Sequence, residues 1–336
     1  MRSSRTSRTV RRVLTLLGLL VAALLLRQLL FPASYDVRRS QILLGTVVEI
    51  DLHGADASRL EAAVSEAFAE IARIEALMSP INPSSDVARL NMTTAPLAVH
   101  PETASVIAFG AELAQKSGGA FDLGLGRIKA LWALESETPH HATAEELAPL
   151  LRDLGPGDVS LTDIGMAQRA PAVAVDLGGI AKGYAVDRAV AVLSRAGEVW
   201  GSVNAGGDIG FVGSRPDRLW RIGIQHPRQA GEVLATLSLE GGAVVTSGDY
   251  ERFVEIEGER YHHLFDPSTG EPARRCQTVT VVADGAMLAD VLATALFVLG
   301  PEKGFPLVES YHASALLVTV DGAVHTSPTL SGVTWP

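Results

Sequence analysis

The chain has 336 residues, of which 47% are hydrophobic and 20% charged, a composition typical of a folded protein with one large domain or two smaller ones. Residues 1–39 hold eight of the 28 basic side chains and one of the 38 acidic ones, so residues 40–336 hold 20 basic and 37 acidic side chains, a formal charge of −17. This acidity argues against nucleic acid as a partner, and the single cysteine, Cys276, excludes an internal disulfide and a multi-cysteine metal site.

The first 31 residues have the pattern of a membrane signal. Five arginines precede an apolar stretch that is long enough for a spanning helix if it runs to Phe31 with Arg27 reaching toward the interface. The positive charges predict a single-pass anchor in the inner (cytoplasmic) membrane, with the folded part on the extracytoplasmic, periplasmic side. Because Phe31 stands where a cleavage site needs a small residue, we expect an uncleaved anchor. The chain is thereby divided into a cytoplasmic basic segment (1–12), a transmembrane signal anchor (13–31), a polar linker (32–40) and a folded domain (41–336).

Helical and extended patterns alternate irregularly along the folded part. The predicted elements, in chain order, are a strand from Gln41 to Asp51 with a glycine inside it, an amphipathic helix capped by Ser58, a helix from Pro101 to Gly118, a helix at the capping box Thr143–Glu146, short strands over 199–282, an apolar helix over Ala286–Leu299, and a hairpin at Asp321-Gly322. This mixture predicts an α+β fold.

The segment from Asp176 to Asp187, Asp-Leu-Gly-Gly-Ile-Ala-Lys-Gly-Tyr-Ala-Val-Asp, carries the strongest chemical signal. An apolar run precedes it and helical periodicity follows, so a strand is predicted to lead through a glycine-rich turn into a helix start. Backbone amides at such a turn, with Lys182 beside them, are suited to binding phosphate. The segment matches neither standard nucleotide fingerprint, and a tight turn without a ligand is the alternative.

The apolar helix over Ala286–Leu299 contains one acidic residue, Asp290. Thr294 lies four residues later, so the carboxylate and the hydroxyl face the same side of the helix. A buried carboxylate needs a cation, and hard oxygen donors of this kind suit Mg²⁺ better than zinc. The alternative is that Asp290 pairs with an arginine and Thr294 bonds back to its own helix.

Four further polar segments each have a functional and a structural interpretation. His262 and His263 are adjacent on a predicted strand and point to opposite faces, so one could act as a general base while the other faces solvent or the core. The loop 119–122 either stacks and binds part of a ligand or is a turn with a core phenylalanine. Segment 246–250 is either a hairpin or a binding segment for phosphate or ribose oxygens. Segment 206–208 either binds part of a ligand or is a turn, and we favour the turn.

Taken in order, eight segments resemble the ApbE family, whose members are FAD:protein FMN transferases. They are Leu44-Gly-Thr46, Ser79 through Asn91, Gly119–Asp122, Asp176–Tyr184, Asn204–Gly207, Thr246–Tyr250, His263–Gly270 and Ala289–Thr294, and they span about residues 41–330. The resemblance implies an ApbE-like, two-lobed mixed α/β fold that binds FAD between its lobes. It also implies a Mg²⁺-dependent reaction that moves FMN from FAD to a threonine or serine hydroxyl of a partner flavoprotein and releases AMP.

Carried over residue by residue, the resemblance implies the composition of the site. The implied Mg²⁺ ligands are Asp290, Thr294 and the backbone carbonyl of Ala181. The implied FAD contacts are Leu44, Ala120, Phe121, Asp122, Gly178, Lys182 and Phe265. The implied catalytic residues are His263 as the candidate base, Asp290 and Lys182. With the helix-start amides around 178–183, Mg²⁺ and Lys182 would neutralise charge on the pyrophosphate.

The sequence departs from the family pattern at three points. Leu44 stands where methionine is usual, Ile81 stands where an aromatic residue often follows the equivalent of Ser79, and the lipobox cysteine is missing, which agrees with anchoring by residues 13–31. Two other functions fit the same residues. One is a Mg²⁺-dependent FAD pyrophosphatase that yields FMN and AMP, and the other is a non-catalytic, membrane-anchored FAD-binding protein.

Overall fold

The computed structural model describes residues 14–15, 34–152, 154–256 and 258–336. The helices within these ranges are α1 (Ala57–Met78), α2 (Asp86–Asn91), α3 (Pro101–Lys116), α4 (Gly126–Trp132), α5 (Ala144–Leu151), α6 (Ala181–Leu193), α7 (Ala286–Leu299) and α8 (Pro301–Ser310). The strands are β1 (Tyr35–Leu43), β2 (Thr46–Gly54), β3 (Val159–Leu161), β4 (Ala167–Arg169), β5 (Trp200–Ala205), β6 (Asp208–Val212), β7 (Trp220–Gln225), β8 (Val233–Leu239), β9 (Ala243–Gly248), β10 (Phe253–Ile256), β11 (Glu259–His262), β12 (Cys276–Ala283), β13 (Ser314–Thr319), β14 (Val324–Thr326) and β15 (Val333–Thr334).

An eight-stranded antiparallel sheet with the order β1-β2-β5-β6-β9-β12-β13-β14 is the centre of the fold. Helices α1, α6 and α7 pack on one of its faces, α1 against β1 and β2, α6 against β5 and β6, and α7 against β9 and β12. Alternate residues of β2, such as Val48 and Ile50, are fully buried beneath them. Helix α7 is apolar on nearly all sides because it lies between the sheet, α6 and α8.

A three-stranded sheet, β15-β8-β7, packs on part of the opposite face. Phe211 of β6 and Val244 of β9 meet Trp220 of β7 and Leu237 of β8 in a second buried cluster. The polar side of β2 and β5 lies beyond this cluster, at the same face of the sheet. The central sheet therefore separates the helices from a partly polar outer face.

The N-terminal part of the domain differs from its prediction. The predicted linker over 32–40 is wrong from Tyr35 onward, because β1 begins there and pairs along its whole length with β2. Its polar residues are compatible with a strand because β1 is an edge strand with solvent on one side. The predicted single strand from Gln41 to Asp51 is a hairpin whose turn is Leu44-Gly45. Asp56, not Ser58, caps α1 by accepting from Arg59 N–H at 3.1 Å.

Other predicted elements are confirmed. Helix α3 begins at Pro101 and ends two residues before the glycine pair, and α5 begins at a complete capping box between Thr143 and Glu146. Helix α7 has the predicted bounds, and Asp321-Gly322 lies in the connection between β13 and β14. No helix among the described residues is long and apolar enough to cross a bilayer. The predicted anchor over 13–31 lies outside the described residues except for 14 and 15, and it stays a prediction.

Candidate active site

The glycine-rich turn leads into α6 as predicted, but the strand before it is reduced to a single bridge between Ala174 and Leu125. Four of the six amides in 178–183 already have acceptors. Gly178 N–H donates to Asp176 Oδ1, Ile180 and Ala181 N–H to the Leu177 carbonyl, and Gly183 N–H to Asp290 Oδ2. Only the amides of Gly179 and Lys182 therefore remain for the predicted binding of an anion. Most of the positive charge that offsets the anion must come from side chains or a metal ion.

Lys182 lies in a buried cluster of charges at the start of α6. Its Nζ donates to Asp208 Oδ1 at 2.5 Å, and Asp208 is fully buried at the first position of β6. Asp290, 4% exposed, lies beside Asp208. Burial, together with repulsion from Asp208, raises the pKa of Asp290 to about 8, and burial also raises the pKa of Asp208. Burial opposes the charge on Lys182, but the two carboxylates outweigh it and raise the pKa of the lysine.

The residues around Asp290 fit a magnesium ion. Asp208 Oδ2 is buried and has no hydrogen-bond partner among the described residues, so an oxygen with a lone pair is available for a cation. Thr294 faces the same turn as Asp290, since a Cβ on Gly179 would lie 3.4 Å from Thr294 Oγ1. The start of α6 meets Asp290 through Gly183 N–H, two residues after the implied ligand Ala181, and a carboxylate, a hydroxyl and a carbonyl are all hard oxygen donors. The described part of the chain has no cluster of three His, Cys, Asp or Glu side chains that could hold a metal by themselves.

A second lysine, Lys129 of α4, lies on the other side of the glycine-rich turn. It forms an ion pair with Asp176. A Cβ on Gly178 would lie 3.2 Å from Lys129 Nζ, so the glycine leaves room for the lysine. Burial disfavours the charge on Asp176, but Lys129 more than compensates and lowers the pKa of that carboxyl. The turn thus has a cation on each side.

His263 follows β11 and has the geometry of a proton acceptor. Its backbone N–H donates to the carbonyl of Arg252, and its ring Nδ1 lies 3.2 Å from the same oxygen. A proton on Nδ1 satisfies this carbonyl and leaves the Nε2 lone pair available. Burial and the charge of Lys129 lower the pKa of His263 to about 3, so the ring is neutral at pH 7. His262 points the other way, into the core, with Nε2 2.9 Å from the Ala273 carbonyl.

The turn between β1 and β2 is a strained part of the site. Leu44 and Gly45 both have left-handed φ angles, 56° and 68°. For a leucine this costs roughly 1–2 kcal/mol, and such strain is found where surrounding contacts enforce it. Leu44 N–H donates to Glu75 Oε1 at 2.9 Å, and Arg252 Nη2 donates to the Gly45 carbonyl at 3.3 Å. Arg252 therefore connects this turn with His263.

The loop 119–122 is a turn with a core phenylalanine whose ring borders the glycine-rich turn. Phe121 is 3% exposed, and a Cβ on Gly179 would lie 3.2 Å from its ring, so the phenylalanine is a core residue that borders the glycine-rich turn. Ala120 is also buried. Asp122 accepts from Gly124 N–H at 2.7 Å, and burial raises the pKa of Asp122 to about 6. The Asp122 carboxylate thereby stabilises the conformation of its own loop.

Phe265 and the segment 246–250, both considered for ligand binding from the sequence, make contacts with other parts of the protein. Phe265 is 5% exposed and packs on Trp132 with 6.0 Å between the ring centroids, in a separate small core. The polar segment at 246–250 is the end of β9 and the turn after it, where Asp249 binds Arg228 with two hydrogen bonds of 2.7 and 2.6 Å. Ile81 is 90% exposed.

Three residues of the site were missed from the sequence: Asp208, Lys129 and Arg252. The favoured turn at 206–208 is correct only for Gly206 and Gly207, because Asp208 is already in β6 and points toward the helices. The sequence signal for Asp208 is a carboxylate that stands directly before the apolar residues of a strand. Lys129 belongs to the short helix α4 and Arg252 to an ordinary turn, so neither had a local signal.

The comparisons with known proteins agree with this geometry. The model of the ApbE family matches residues 44–317. A FAD:protein FMN transferase of Rhodobacter capsulatus is 34% identical over 90% of this chain, which spans 59% of that protein's length. A protein of the same name from Treponema pallidum is 32% identical over 87% of each chain.

Solved structures share the fold over the same region. The ApbE protein of Thermotoga maritima has a TM-score of 0.82 at 34% identity, covering 88% of this chain and 98% of its own. The apo flavinyl transferase ApbE of Pseudomonas stutzeri has a TM-score of 0.76 at 29% identity, covering 88% and 96%. The mixed α/β fold is thus that of these two ApbE proteins, and from the family match, the sequence identity and the shared fold together we conclude that the chain belongs to the ApbE family.

Proposed function

We propose that the chain is a Mg²⁺-dependent FAD:protein FMN transferase that moves FMN from FAD to a threonine or serine hydroxyl of a partner flavoprotein and releases AMP. The observation that carries the proposal is the buried pair Asp208 and Asp290 next to Lys182, with one carboxylate oxygen unpartnered among the described residues. Such a concentration of charge is costly in a protein interior unless a cation joins it. The printed names of the curated relatives support the choice of substrate.

The charges around the glycine-rich turn support an FAD pyrophosphate there. Lys129 pairs with Asp176 at the start of the turn and Lys182 with Asp208 at its end, and the missing side chain of Gly178 leaves room for Lys129 Nζ beside the backbone. Leu44, Ala120, Phe121, Asp122, Gly178, Lys182 and Phe265 are the proposed FAD contacts. Because Phe121 borders the turn while Phe265 packs in a separate core, we expect the stronger effect on FAD binding from Phe121.

Asp290, Thr294 and the Ala181 carbonyl are the proposed metal ligands, with Asp208 beside them. When bound there, Mg²⁺ would supply positive charge to the pyrophosphate oxygens. Lys182 is held as a cation by Asp208, so it can stabilise the charge that develops as the bond to AMP breaks. Gly183 N–H orients Asp290 from the start of α6.

The transfer needs a base for the acceptor hydroxyl, and His263 is the proposed one. Its Nε2 would take the hydroxyl proton while the oxygen forms a bond to the FMN phosphorus. The bond from that phosphorus to the AMP oxygen breaks, and AMP leaves with the electron pair. The low pKa of His263 keeps the ring neutral and able to accept a proton, although the protonated ring it becomes must be stabilised by the charges of the reacting groups.

The test is covalent labelling of an acceptor protein, followed as the mass gain of one FMN. We expect labelling by the wild type with FAD and Mg²⁺, a loss of at least about 100-fold in rate for Asp290→Asn, and a loss of about 100-fold for His263→Gln with unchanged FAD binding. Asp217→Asn, a change of exposed charge far from the site, is the matched control and should label at the wild-type rate. Labelling at the wild-type rate by Asp290→Asn would refute the metal assignment.

The same assay separates the two alternatives. Rapid release of AMP without an acceptor would favour a FAD pyrophosphatase. FAD binding that is independent of Mg²⁺, with neither AMP nor labelled acceptor formed, would favour a non-catalytic FAD-binding protein.

A further inference from the structure

A cavity of about 340 Å³ lies on the outer face of the central sheet, away from the glycine-rich turn. Ile209 and Phe211 of β6 line it, whereas Asp208 and Gly210 of the same strand point to the helices. The sheet therefore stands between this cavity and the candidate active site. The volume is at the lower end of the range of roughly 300–1,000 Å³ for small-molecule sites.

Arg215 forms one wall of the cavity in an unusual environment. Its guanidinium carbon lies 4.6 Å from the ring centroid of Trp200 and 5.2 Å from that of Trp220. Its Nε is buried and unpartnered among the described residues, and the nearest carboxylate oxygen, of Asp217, is 3.7 Å away. The indole N–H of Trp220, a residue that is only 7% exposed and also lines the cavity, likewise has no acceptor within that part of the chain. Both atoms are closed off from solvent, but the Arg215 side chain is 19% exposed, so the accessible part of its guanidinium group can meet an anion in the cavity.

The cavity is also basic, although the folded part of the chain is strongly acidic. Arginines 38, 215, 218 and 221 line it together with Glu49 and Asp51. Within this lining Glu49 pairs with Arg38 at 2.8 Å, and Asp51 lies 3.0 Å from His53, so two carboxylates face four arginines. Arg221 is exposed on β7 and has no ion pair among the residues that the structure describes. The cavity is left with an excess of guanidinium groups.

We propose that this cavity binds a small organic anion, with a phosphate or carboxylate group facing Arg215 and Arg221 and an apolar or aromatic body against Ile209, Phe211 and Leu219. Guanidinium groups bind both kinds of anion through paired N–H donors, so phosphate and carboxylate share the same recognition chemistry. The aromatic and aliphatic side chains cover the rest of the ligand, as in most small-molecule sites. The site is separate from the proposed flavin site and does not depend on the proposed activity.

The test is calorimetric titration of the full chain with saturating FAD and Mg²⁺ but without an acceptor protein, so that the proposed flavin site is occupied and no acceptor is labelled. Phenyl phosphate and benzoate are the anionic probes, phenol is the uncharged probe, and inorganic phosphate lacks the apolar body. We expect one site per chain for phenyl phosphate or benzoate, with phenol and inorganic phosphate each at least about tenfold weaker. The tighter of the two anionic probes identifies the preferred group.

Single variants locate the binding. Arg215→Gln and Arg221→Gln should each weaken the better probe by about tenfold or more, while Arg195→Gln, an exposed arginine on the helix side, should change it less than twofold. Arg221 is exposed and makes no packing contribution, so its variant tests the site even if Arg215→Gln fails to fold. No saturable binding, unchanged affinity in Arg221→Gln, or equal affinity for inorganic phosphate would each overturn the proposal.

Discussion

Asp208 sets the charge balance of the candidate site. It is fully buried and gives Lys182 a hydrogen-bonded counter-ion at 2.5 Å, while it also raises the pKa of Asp290 by repulsion. A buried lysine without a counter-ion loses its proton far more easily than an exposed one. The cationic state of Lys182, on which the proposed chemistry depends, is therefore maintained by a residue that no motif pointed to.

Replacing Asp208 by asparagine should lower the rate of FMN transfer by tenfold or more and change its dependence on pH. The asparagine keeps the shape of the side chain but removes the attraction that raises the pKa of Lys182, so the lysine loses its charge at a lower pH than in the wild type. The labelling rate of the variant should then fall with rising pH before that of the wild type does. The measurement is a labelling profile from pH 6 to pH 10, with Asp217→Asn as the control for lost acidic charge. Superimposable profiles would show that Asp208 does not act through Lys182.

The sequence predicts Asp290 but not Asp208, and the difference is physical. Asp290 is the lone acid in an apolar helix, so its burial and its need for a cation follow from local pattern alone. Asp208 follows two glycines, a context in which an aspartate is usually an exposed turn residue. Its burial comes from the packing of β6 against α6 and from the contact with Lys182, 26 residues earlier in the chain, and these contacts leave no local pattern in the sequence.

At the scale of elements, the contact between α6 and α7 positions the proposed metal ligands. Helix α7 lacks a side-chain cap of its own, and Asp187 of α6 supplies it by accepting from Ala286 N–H at 2.6 Å and Met287 N–H at 2.9 Å. Gly183 lets the two helices approach closely, since a Cβ there would lie 2.3 Å from the Ala286 carbonyl. The same glycine donates its N–H to Asp290.

Gly183→Ala should therefore destabilise the protein by about 2 kcal/mol or more, although alanine is the better helix former. The added methyl group meets backbone, which cannot move aside like a flexible side chain. Urea unfolding measures the change, and Gly241→Ala, where the new Cβ has no heavy atom within 4 Å, is the matched control that should change stability by less than about 0.5 kcal/mol. Equal stability of the two variants would contradict the proposed packing constraint.

The left-handed backbone conformation of Leu44 in the hairpin turn lowers the stability of the protein. Asparagine tolerates the left-handed conformation better than leucine, so Leu44→Asn should raise the free energy of unfolding by about 1 kcal/mol. If Leu44 contacts FAD, the same change should weaken FAD binding, which equilibrium titration measures. Ile42→Asn, at an exposed strand position two residues away, should give no gain in stability. A loss of stability in Leu44→Asn would show that the leucine is held by packing and not by strain.

At the scale of the molecule, the sequence predicted the fold class and the helix side of the site better than the sheet. Amphipathic and apolar helices have clear periodicity and caps, which is why the bounds of α3 and α7 and the start of α5 follow from the sequence. The sequence predicts a linker where β1 begins because the outward residues of β1 are polar. The hairpin that joins β1 to β2 has no clear signal either, because its turn needs a left-handed φ angle that a leucine rarely adopts. The basic cavity on the outer face has no local signal in the sequence, because its walls come from β1, β2, β5, β6, β7 and the loop before β7.

The division between anchor and domain is the largest prediction that concerns the whole chain. Residues 34–336 contain the sheet, its helices and every residue of the candidate site, and β1 is the first element that the sheet needs. A variant that begins at residue 34 should therefore fold and label an acceptor at the rate of the full chain. The full chain should stay with the membrane fraction through an alkaline carbonate wash, as expected for residues 13–31 spanning the bilayer, while the shortened variant should be in the supernatant. Release of the full chain by carbonate would contradict the anchor, and loss of labelling in the shortened variant would show that the first 33 residues contribute to the enzyme itself.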